Sequence, residues 1–164
     1  MTINKANPII SVLLIAIIIA ADQFSKFYVL NTIKLDQIGH LEISRIFDLT
    51  MVWNQGVSFG ALRASNEFGR WALVGLAGII SILFFFWMLR EPRKLSRFAL
   101  VLIIGGAIGN MIDRVRIGAV ADFLDFSGLG FFPWVFNIAD CCVVIGAGLL
   151  MLDMFLAPED KSVK

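Results

Sequence analysis

Four apolar segments, each long enough to cross a lipid bilayer, are the feature that most constrains the fold of this chain. They cover residues 8–29, 69–89, 95–114 and 136–156. Each has about 20 residues, and at ~1.5 Å of rise per residue this length matches a hydrocarbon core ~30 Å thick. The sequence therefore predicts an all-α membrane protein, with a four-helix bundle and a single domain over residues 1–164.

The composition agrees with a membrane protein. Hydrophobic residues make up 59% of the chain and charged residues only 16%, whereas soluble domains have about 25% charged residues. The formal net charge of +1 predicts no nucleic-acid partner, since that partner requires a concentrated basic face. Cys141 and Cys142 are adjacent in an apolar run, which favours helix packing over a disulfide or a metal site.

The short connection between the second and third segments sets the predicted orientation. Its sequence "REPRKLSR" (residues 90–97) is rich in Lys and Arg, and the positive-inside rule places it in the cytoplasm with both termini. Residues 31–68 and 115–135 then face outward. The alternative of a cleavable signal peptide at the N-terminus is disfavoured, because the apolar run continues past Asp22 to "FYVL" and exceeds a signal-peptide core.

The outward connections predict some β-structure. Apolar and polar residues alternate from Phe47 to Trp53, a period of two that is typical of a half-buried strand. A turn is expected at residues 54–56, and residues 60–69 predict a short interfacial helix. The aromatic residues of 131–136 fit a membrane-interface belt. We therefore expect a small, outward-facing, β-rich element above the bundle.

Polar residues gather near the outward ends of three of the four spans. Ionisable groups at such depth are costly and usually mark function. Asp22 also fits a helix-packing hydrogen bonder, and Asp113 fits an interfacial ion pair with Arg114. Asp153, at the other end, is predicted to be solvated. The outward set comprises Asp22, Asn110, Asp113, Arg114, Asn137 and Asp140, with Asp122 in the connecting loop.

Two features of this region bear on its packing. Asn137 and Asp140 are three residues apart and are predicted to open the fourth helix on one face. Gly105, Gly106 and Gly109 lie in the third span, where small residues let helices approach closely. The polar groups are therefore expected in a tightly packed part of the bundle.

Paired carboxylates suggest a chemistry. Two carboxyl groups close together in a poorly hydrated place resist ionising together, so one keeps its proton. The pair then offers a general base and a general acid, as in aspartic proteases. The spacing leaves open whether Asp122 or Asp125 partners Asp140. Two other classes stay open on this basis: a transporter with an acidic ion path, and a Mg²⁺ enzyme acting on a lipid-linked phosphate.

Four blocks, in order along the chain, resemble the lipoprotein signal peptidases, also called signal peptidase II. They are "DQFSK" (22–26), "NQGVSFG" (54–60), "GGAIGNMIDRVRIGAVADFLDF" (105–126) and "FNIAD" (136–140). The resemblance implies an aspartic endopeptidase, a hydrolase of the bacterial cytoplasmic (inner) membrane. Such an enzyme removes the signal peptide from diacylglyceryl-modified prolipoproteins, cleaving before the lipidated cysteine at the outer face.

The resemblance also implies partners and roles. It implies a monomer among membrane lipids that works without a cofactor or metal and is inhibited by cyclic peptides of the globomycin type. The catalytic residues are the aspartates of "ADF" and "NIAD", Asp122 and Asp140. Ala121 and Cys141 depart from the usual neighbours without touching a carboxylate. Substrate-binding residues match Asn54, Gly56, Asn110, Arg114 and Asn137, and supporting polar residues match Asp22, Lys26 and Asp113.

Overall fold

Helices account for most of the computed structural model, which describes residues 8–56 and 67–156. Four of the helices have the length and apolar composition to cross a membrane, which confirms the predicted all-α membrane fold. The first continues beyond its α-helical part as a π-helical segment, Tyr28–Ile33. The helices are α1 (Pro8–Phe27), the short α2 (Leu35–Ile38), α3 (Glu67–Arg90), α4 (Lys94–Arg116) and α5 (Ile138–Leu156).

A four-stranded antiparallel sheet caps one end of the bundle. Strand β3 (Val120–Asp125) follows the end of α4 and strand β4 (Val135–Phe136) precedes α5, so the sheet joins these two helices. Strand β2 (Asp48–Asn54) confirms the strand predicted from the alternation at residues 47–53. The predicted interfacial helix falls largely outside the described residues. In spatial order the strands are β1 (His40–Glu42), β2 (Asp48–Asn54), β3 (Val120–Asp125) and β4 (Val135–Phe136).

Helix α4 is the centre of the bundle, because it packs against α1, α3 and α5. Its glycines make this possible. A Cβ atom at Gly105 would lie 2.7 Å from Ile18 Cγ2 of α1, and one at Gly106 would overlap the carbonyl oxygen of Ala139 of α5. The predicted close approach of helices at these glycines is confirmed. Below them, a core of Ile15, Met88, Leu100, Val101 and Ile104 joins α1, α3 and α4.

Gly106→Ala is expected to lower the thermal stability of the detergent-solubilised protein. The added methyl group meets backbone rather than a movable side chain, and overpacking of this kind costs roughly 1–3 kcal/mol. Gly75→Ala on α3 is the matched control, since nothing lies within 4 Å of its Cβ position. Equal unfolding temperatures for the two variants would contradict the close α4–α5 contact.

The prediction that Asp153 is solvated is wrong. Asp153 is only 8% exposed, because the beginning of α4 packs over this part of α5. Ser96 Oγ donates a hydrogen bond to Asp153 Oδ2, and Arg93 Nε lies 3.1 Å from the same oxygen. The carboxylate therefore joins α5 to the first turn of α4.

Candidate active site

An irregularity in the β2–β3 pairing brings Asn54 to Asp122. Leu49 pairs with Leu124, but Val52 pairs with Asp122, so two residues of β2 oppose one residue of β3. One extra residue reverses the face on which the following side chains lie. Asn54 therefore lies on the same face as Asp122, and its Nδ2 donates to Asp122 Oδ2 at 3.0 Å.

The strand alternation separates Asp122 from Asp125. Three residues apart on β3, they lie on opposite faces of the sheet. Asp125 accepts hydrogen bonds from Thr50 Oγ1 at 2.6 Å and from the Ser127 backbone N–H at 2.8 Å. These bonds, that of Thr50 foremost, hold the pKa of Asp125 below its usual value. Asp125 is thus engaged within the sheet and its following turn.

Asn137 and Asp140 form a reciprocal cap at the start of α5. The Asp140 N–H donates to Asn137 Oδ1 at 2.9 Å, and the Asn137 N–H lies 3.3 Å from Asp140 Oδ2. This pattern is a capping box. The fourth span was predicted to begin at Phe136, but Phe136 belongs to β4 and the helix begins at Ile138. The hydropathy-based boundary predicted that Asn137 and Asp140 share one face of the helix. Instead, Asn137 precedes the helix.

Two amide side chains link the carboxylates of Asp122 and Asp140. Asn137 Nδ2 donates to Asp122 Oδ1 at 2.5 Å and to Asn110 Oδ1 at 3.2 Å. Asn110 Nδ2 in turn donates to Asp140 Oδ1 at 2.7 Å. The structure thus brings β3, α4 and the beginning of α5 together around these two carboxyl groups.

A buried lysine holds two further carboxylates beneath this pair. Lys26 Nζ lies 2.8 Å from Asp22 Oδ2 and 2.7 Å from Asp113 Oδ2, and it donates to Asn110 Oδ1 at 3.2 Å. Lys26 is 3% exposed, Asp22 0% and Asp113 2%. Asp113 therefore pairs with Lys26, so the alternative of an interfacial ion pair with Arg114 is wrong.

The two supporting carboxylates reach the backbone immediately before each aspartate of the pair. Asp22 Oδ1 accepts the N–H of Ala139 at 3.0 Å. Asp113 Oδ2 lies 3.4 Å from the N–H of Ala121. Lys26, Asp22 and Asp113 together form the lysine cluster. Because Ala121 and Ala139 precede Asp122 and Asp140, this cluster fixes the main chain at both positions.

Sequence reasoning missed Gln23. Its Nε2 donates to Asp113 Oδ1 at 2.8 Å and lies 3.2 Å from both Asp22 Oδ2 and the carbonyl oxygen of Gly109. Gln23 thus completes the contacts of the lysine cluster. Its position between Asp22 and Lys26 in the "DQFSK" block was the available signal.

Arg114 interacts with the pair, and Gly56 contacts it through Asn54. Arg114 Nη1 donates to the Asn110 carbonyl oxygen at 3.3 Å, and the guanidinium interacts electrostatically with Asp140, Asp122 and Asp113. Its Nε is buried without a hydrogen-bond partner in the described part of the chain. The Gly56 N–H donates to Asn54 Oδ1 at 2.9 Å, and the φ of 112° at Gly56 is one that glycine tolerates best.

The environment of Asp122 favours its protonated form. Burial raises the pKa of Asp122 to about 6, and the negative charge of Asp140 acts in the same direction. The amide donors of Asn54 and Asn137 oppose this rise. A carboxyl group with this pKa can exchange a proton near neutral pH. Within residues 8–56 and 67–156, no three His, Cys, Asp or Glu side chains converge on a point that could hold a metal ion.

The fold and the site together define a class: an integral membrane protein with a partly buried pair of carboxylates at one end of its helical bundle. The family model described as signal peptidase (SPase) II matches residues 14–156. This chain belongs to the signal peptidase II family. It is therefore a peptidase of the bacterial inner membrane that removes signal peptides from prolipoproteins.

Individual relatives and solved structures agree with this membership. The lipoprotein signal peptidase of Caulobacter vibrioides is 45% identical over 89% of this chain and 86% of its own length. That of Rhizorhabdus wittichii is 42% identical, with the same shares covered. A solved structure described as a bacterial membrane enzyme has a TM-score of 0.78 at 27% identity, covering 94% of this chain and 92% of its own. A second so described has a TM-score of 0.77 at 28% identity, with 92% and 94% covered.

Proposed function

We propose that this chain is an aspartic endopeptidase in which Asp122 and Asp140 hydrolyse the peptide bond before a diacylglyceryl-modified cysteine. The observation that carries the proposal is the amide framework of Asn110 and Asn137, which holds both carboxyl groups. Family membership favours this reaction over the transporter and the Mg²⁺ enzyme that the residues alone left open.

In the proposed mechanism Asp122 carries the proton, since burial raises its pKa to about 6, and Asp140 acts as the base of the pair. Asp140 removes a proton from a water molecule as the water oxygen attacks the scissile carbonyl carbon. At the same time Asp122 donates a hydrogen bond to the carbonyl oxygen. The tetrahedral intermediate then collapses, the C–N bond breaks, and the leaving amine takes up a proton from the pair. Both carboxyl groups regain their starting states after one turnover.

The other residues of the four matching blocks have two kinds of role in this proposal. Asn110 and Asn137 already donate to the carboxylates, so they orient the pair. Asn110 is half-buried and is proposed to contact bound peptide as well, whereas Asn137 is 0% exposed and acts through Asp122. Arg114 has a buried Nε free of partners in the described residues and is suited to donate to a substrate carbonyl oxygen. Asn54 contacts Asp122 from the end of β2, and Gly56, which donates to Asn54, completes the proposed substrate-binding set.

The proposed orientation puts the sheet and the carboxylate pair at the outer face, with both termini in the cytoplasm. The basic connection between α3 and α4 lies at the opposite end of the bundle, as the positive-inside rule requires. At the outer boundary the pair meets both water and the end of a membrane-inserted signal helix. The lipid chains of the substrate then stay in the bilayer, and the enzyme is proposed to work as a monomer.

The test is cleavage of a diacylglyceryl-modified precursor by the purified full-length protein in detergent, compared with the same precursor without its lipid. We expect product ending before the modified cysteine only from the lipidated form, with turnover insensitive to a metal chelator and blocked by a globomycin-type cyclic peptide. Equal cleavage of both forms would contradict the proposed substrate specificity. Loss of activity with chelator would contradict the two-carboxylate mechanism.

The pH dependence of kcat/KM offers a second test. Asp122 holds its proton below pH about 6 and loses it above, so the acid of the pair disappears as the pH rises. We expect a descending limb with an apparent pKa near 6, about two units above that of an ordinary aspartate. Because the Asn54 amide favours the ionised carboxylate, Asn54→Ala should move this limb to higher pH.

The control for the pH profile is Asp125→Asn, which removes a carboxylate of the same strand on the opposite face. Its limb should coincide with that of the unmodified protein. A limb that moves in Asp125→Asn and stays in place in Asn54→Ala would show that Asp122 is not the group that titrates.

A further inference from the structure

A cavity of about 150 Å³ opens between α1 and α4 at the end of the bundle remote from the carboxylate pair. Arg97 on its lining precedes Asn110 on α4 by roughly 20 Å, at ~1.5 Å of rise per residue. The cavity therefore belongs to the opposite membrane boundary. Its walls combine apolar residues with two cations: Ile10, Leu14, Phe98 and Val101, with Lys94 and Arg97.

Arg97 is the feature of this cavity that needs a partner. Its Nη2 donates to the carbonyl oxygen of Glu91. Its Nε and Nη1 are buried and have no hydrogen-bond partner among the described residues. Buried donors of a charged group are costly when they are unsatisfied, so the guanidinium is suited to a ligand that brings acceptor oxygens.

The carboxylates at this end of the bundle are already engaged elsewhere. Arg93 Nε lies 3.5 Å from Glu91 Oε1 and 3.1 Å from Asp153 Oδ2. Glu91 Oε2 also accepts a hydrogen bond from Trp87 Nε1 at 2.9 Å. No ion pair joins Lys94 or Arg97 to a carboxylate within the described part of the chain, so positive charge remains at the cavity.

We propose that this cavity binds an anionic phospholipid of the adjacent leaflet. Arg97 and Lys94 hold the phosphate, for which a guanidinium supplies paired donors, and the beginning of an acyl chain lies along Ile10, Leu14 and Val101. The charge selects a headgroup of net negative charge, because basic side chains at a membrane boundary attract anionic lipids. The apolar walls select a lipid over a free anion. This inference is independent of the peptidase reaction.

The test is a lipid titration of the purified full-length protein in detergent, followed by native mass spectrometry. Dioleoylphosphatidylglycerol should bind at least tenfold more tightly than dioleoylphosphatidylcholine, whose choline cancels the phosphate charge. Lys94→Gln should weaken phosphatidylglycerol binding about fivefold, and Lys94→Gln with Arg97→Gln about 25-fold, as expected for the loss of one and two basic groups. The exposed Lys94 leaves the test usable if the double variant folds poorly.

Arg90→Gln is the matched control, because Arg90 is exposed at the same end of the bundle and does not line the cavity. It should change phosphatidylglycerol binding by less than twofold. Equal binding of the two lipids, an unchanged affinity in Lys94→Gln, or an equal loss in Arg90→Gln would each overturn the proposal. Displacement of the lipid by inorganic phosphate at tens of millimolar would overturn the assignment to a lipid.

Discussion

Asp122→Asn and Asp140→Asn are each expected to reduce cleavage of a lipidated precursor by at least about 10³-fold, within the range that general acid–base catalysis supplies. Asparagine keeps the shape of the side chain and one acceptor oxygen, so Asn137 and Asn110 retain a partner in the two variants. The amide can neither take the proton of water nor give one to the carbonyl oxygen. The measurement is the single-turnover rate of purified, folded variant on diacylglyceryl precursor.

Asp125→Asn is the control that the strand itself provides. Asp125 is a carboxylate of the same strand, three residues from Asp122, but it is hydrogen-bonded to Thr50 and Ser127. We expect it to retain activity within about tenfold of the unmodified protein. Complete loss of activity in Asp125→Asn, together with substantial turnover in Asp122→Asn, would show that the proposal assigns the chemistry to the wrong carboxylate. Unchanged thermal unfolding of all three variants would show that the comparison concerns chemistry rather than folding.

The sequence-based predictions succeed where a property is local along the chain. Span length and hydropathy depend only on consecutive residues, and the four membrane helices were predicted from them. The close approach at Gly106 was also predictable, because only a small residue there admits Ala139 of the neighbouring helix. The spacing of three residues between Asn137 and Asp140 is typical of a capping box. However, the apolar Phe136 placed the predicted start of the span before this box, whereas the helix begins at Ile138.

The predictions fail where the outcome depends on a partner element. Alternation places Trp53 on the same face as Leu49, yet Trp53 is 41% exposed, because one extra residue of β2 interrupts the register. Nothing in β2 alone indicates this interruption, which also brings Asn54 to Asp122. Asp153 fails for the same reason, since its burial depends on where α4 crosses α5. The spacing also left open whether Asp122 or Asp125 partners Asp140, because their side chains are assigned to opposite faces only once residues 120–125 form a strand.

Lys26→Met is expected to have the largest effect on stability. Lys26 Nζ is within 2.8 Å of Asp22 and 2.7 Å of Asp113, and removing one partner of a buried ion pair costs roughly 3–5 kcal/mol. Here a single ammonium serves two carboxylates, so both lose their neutralising cation at once. We expect a large fall in the unfolding temperature and in the yield of folded protein, measured by thermal unfolding in detergent.

Two further variants show whether charge or packing causes this loss. Lys34→Met removes an exposed lysine and should leave the unfolding temperature nearly unchanged. Adding Asp22→Asn and Asp113→Asn to Lys26→Met removes the unpaired negative charges and should recover part of the stability. Asp22 and Asp113 contact the backbone before Asp140 and Asp122. The variant that regains stability should therefore cleave the precursor more slowly than the unmodified protein. Full activity in this triple variant would show that the lysine cluster does not position the proposed catalytic pair, Asp122 and Asp140.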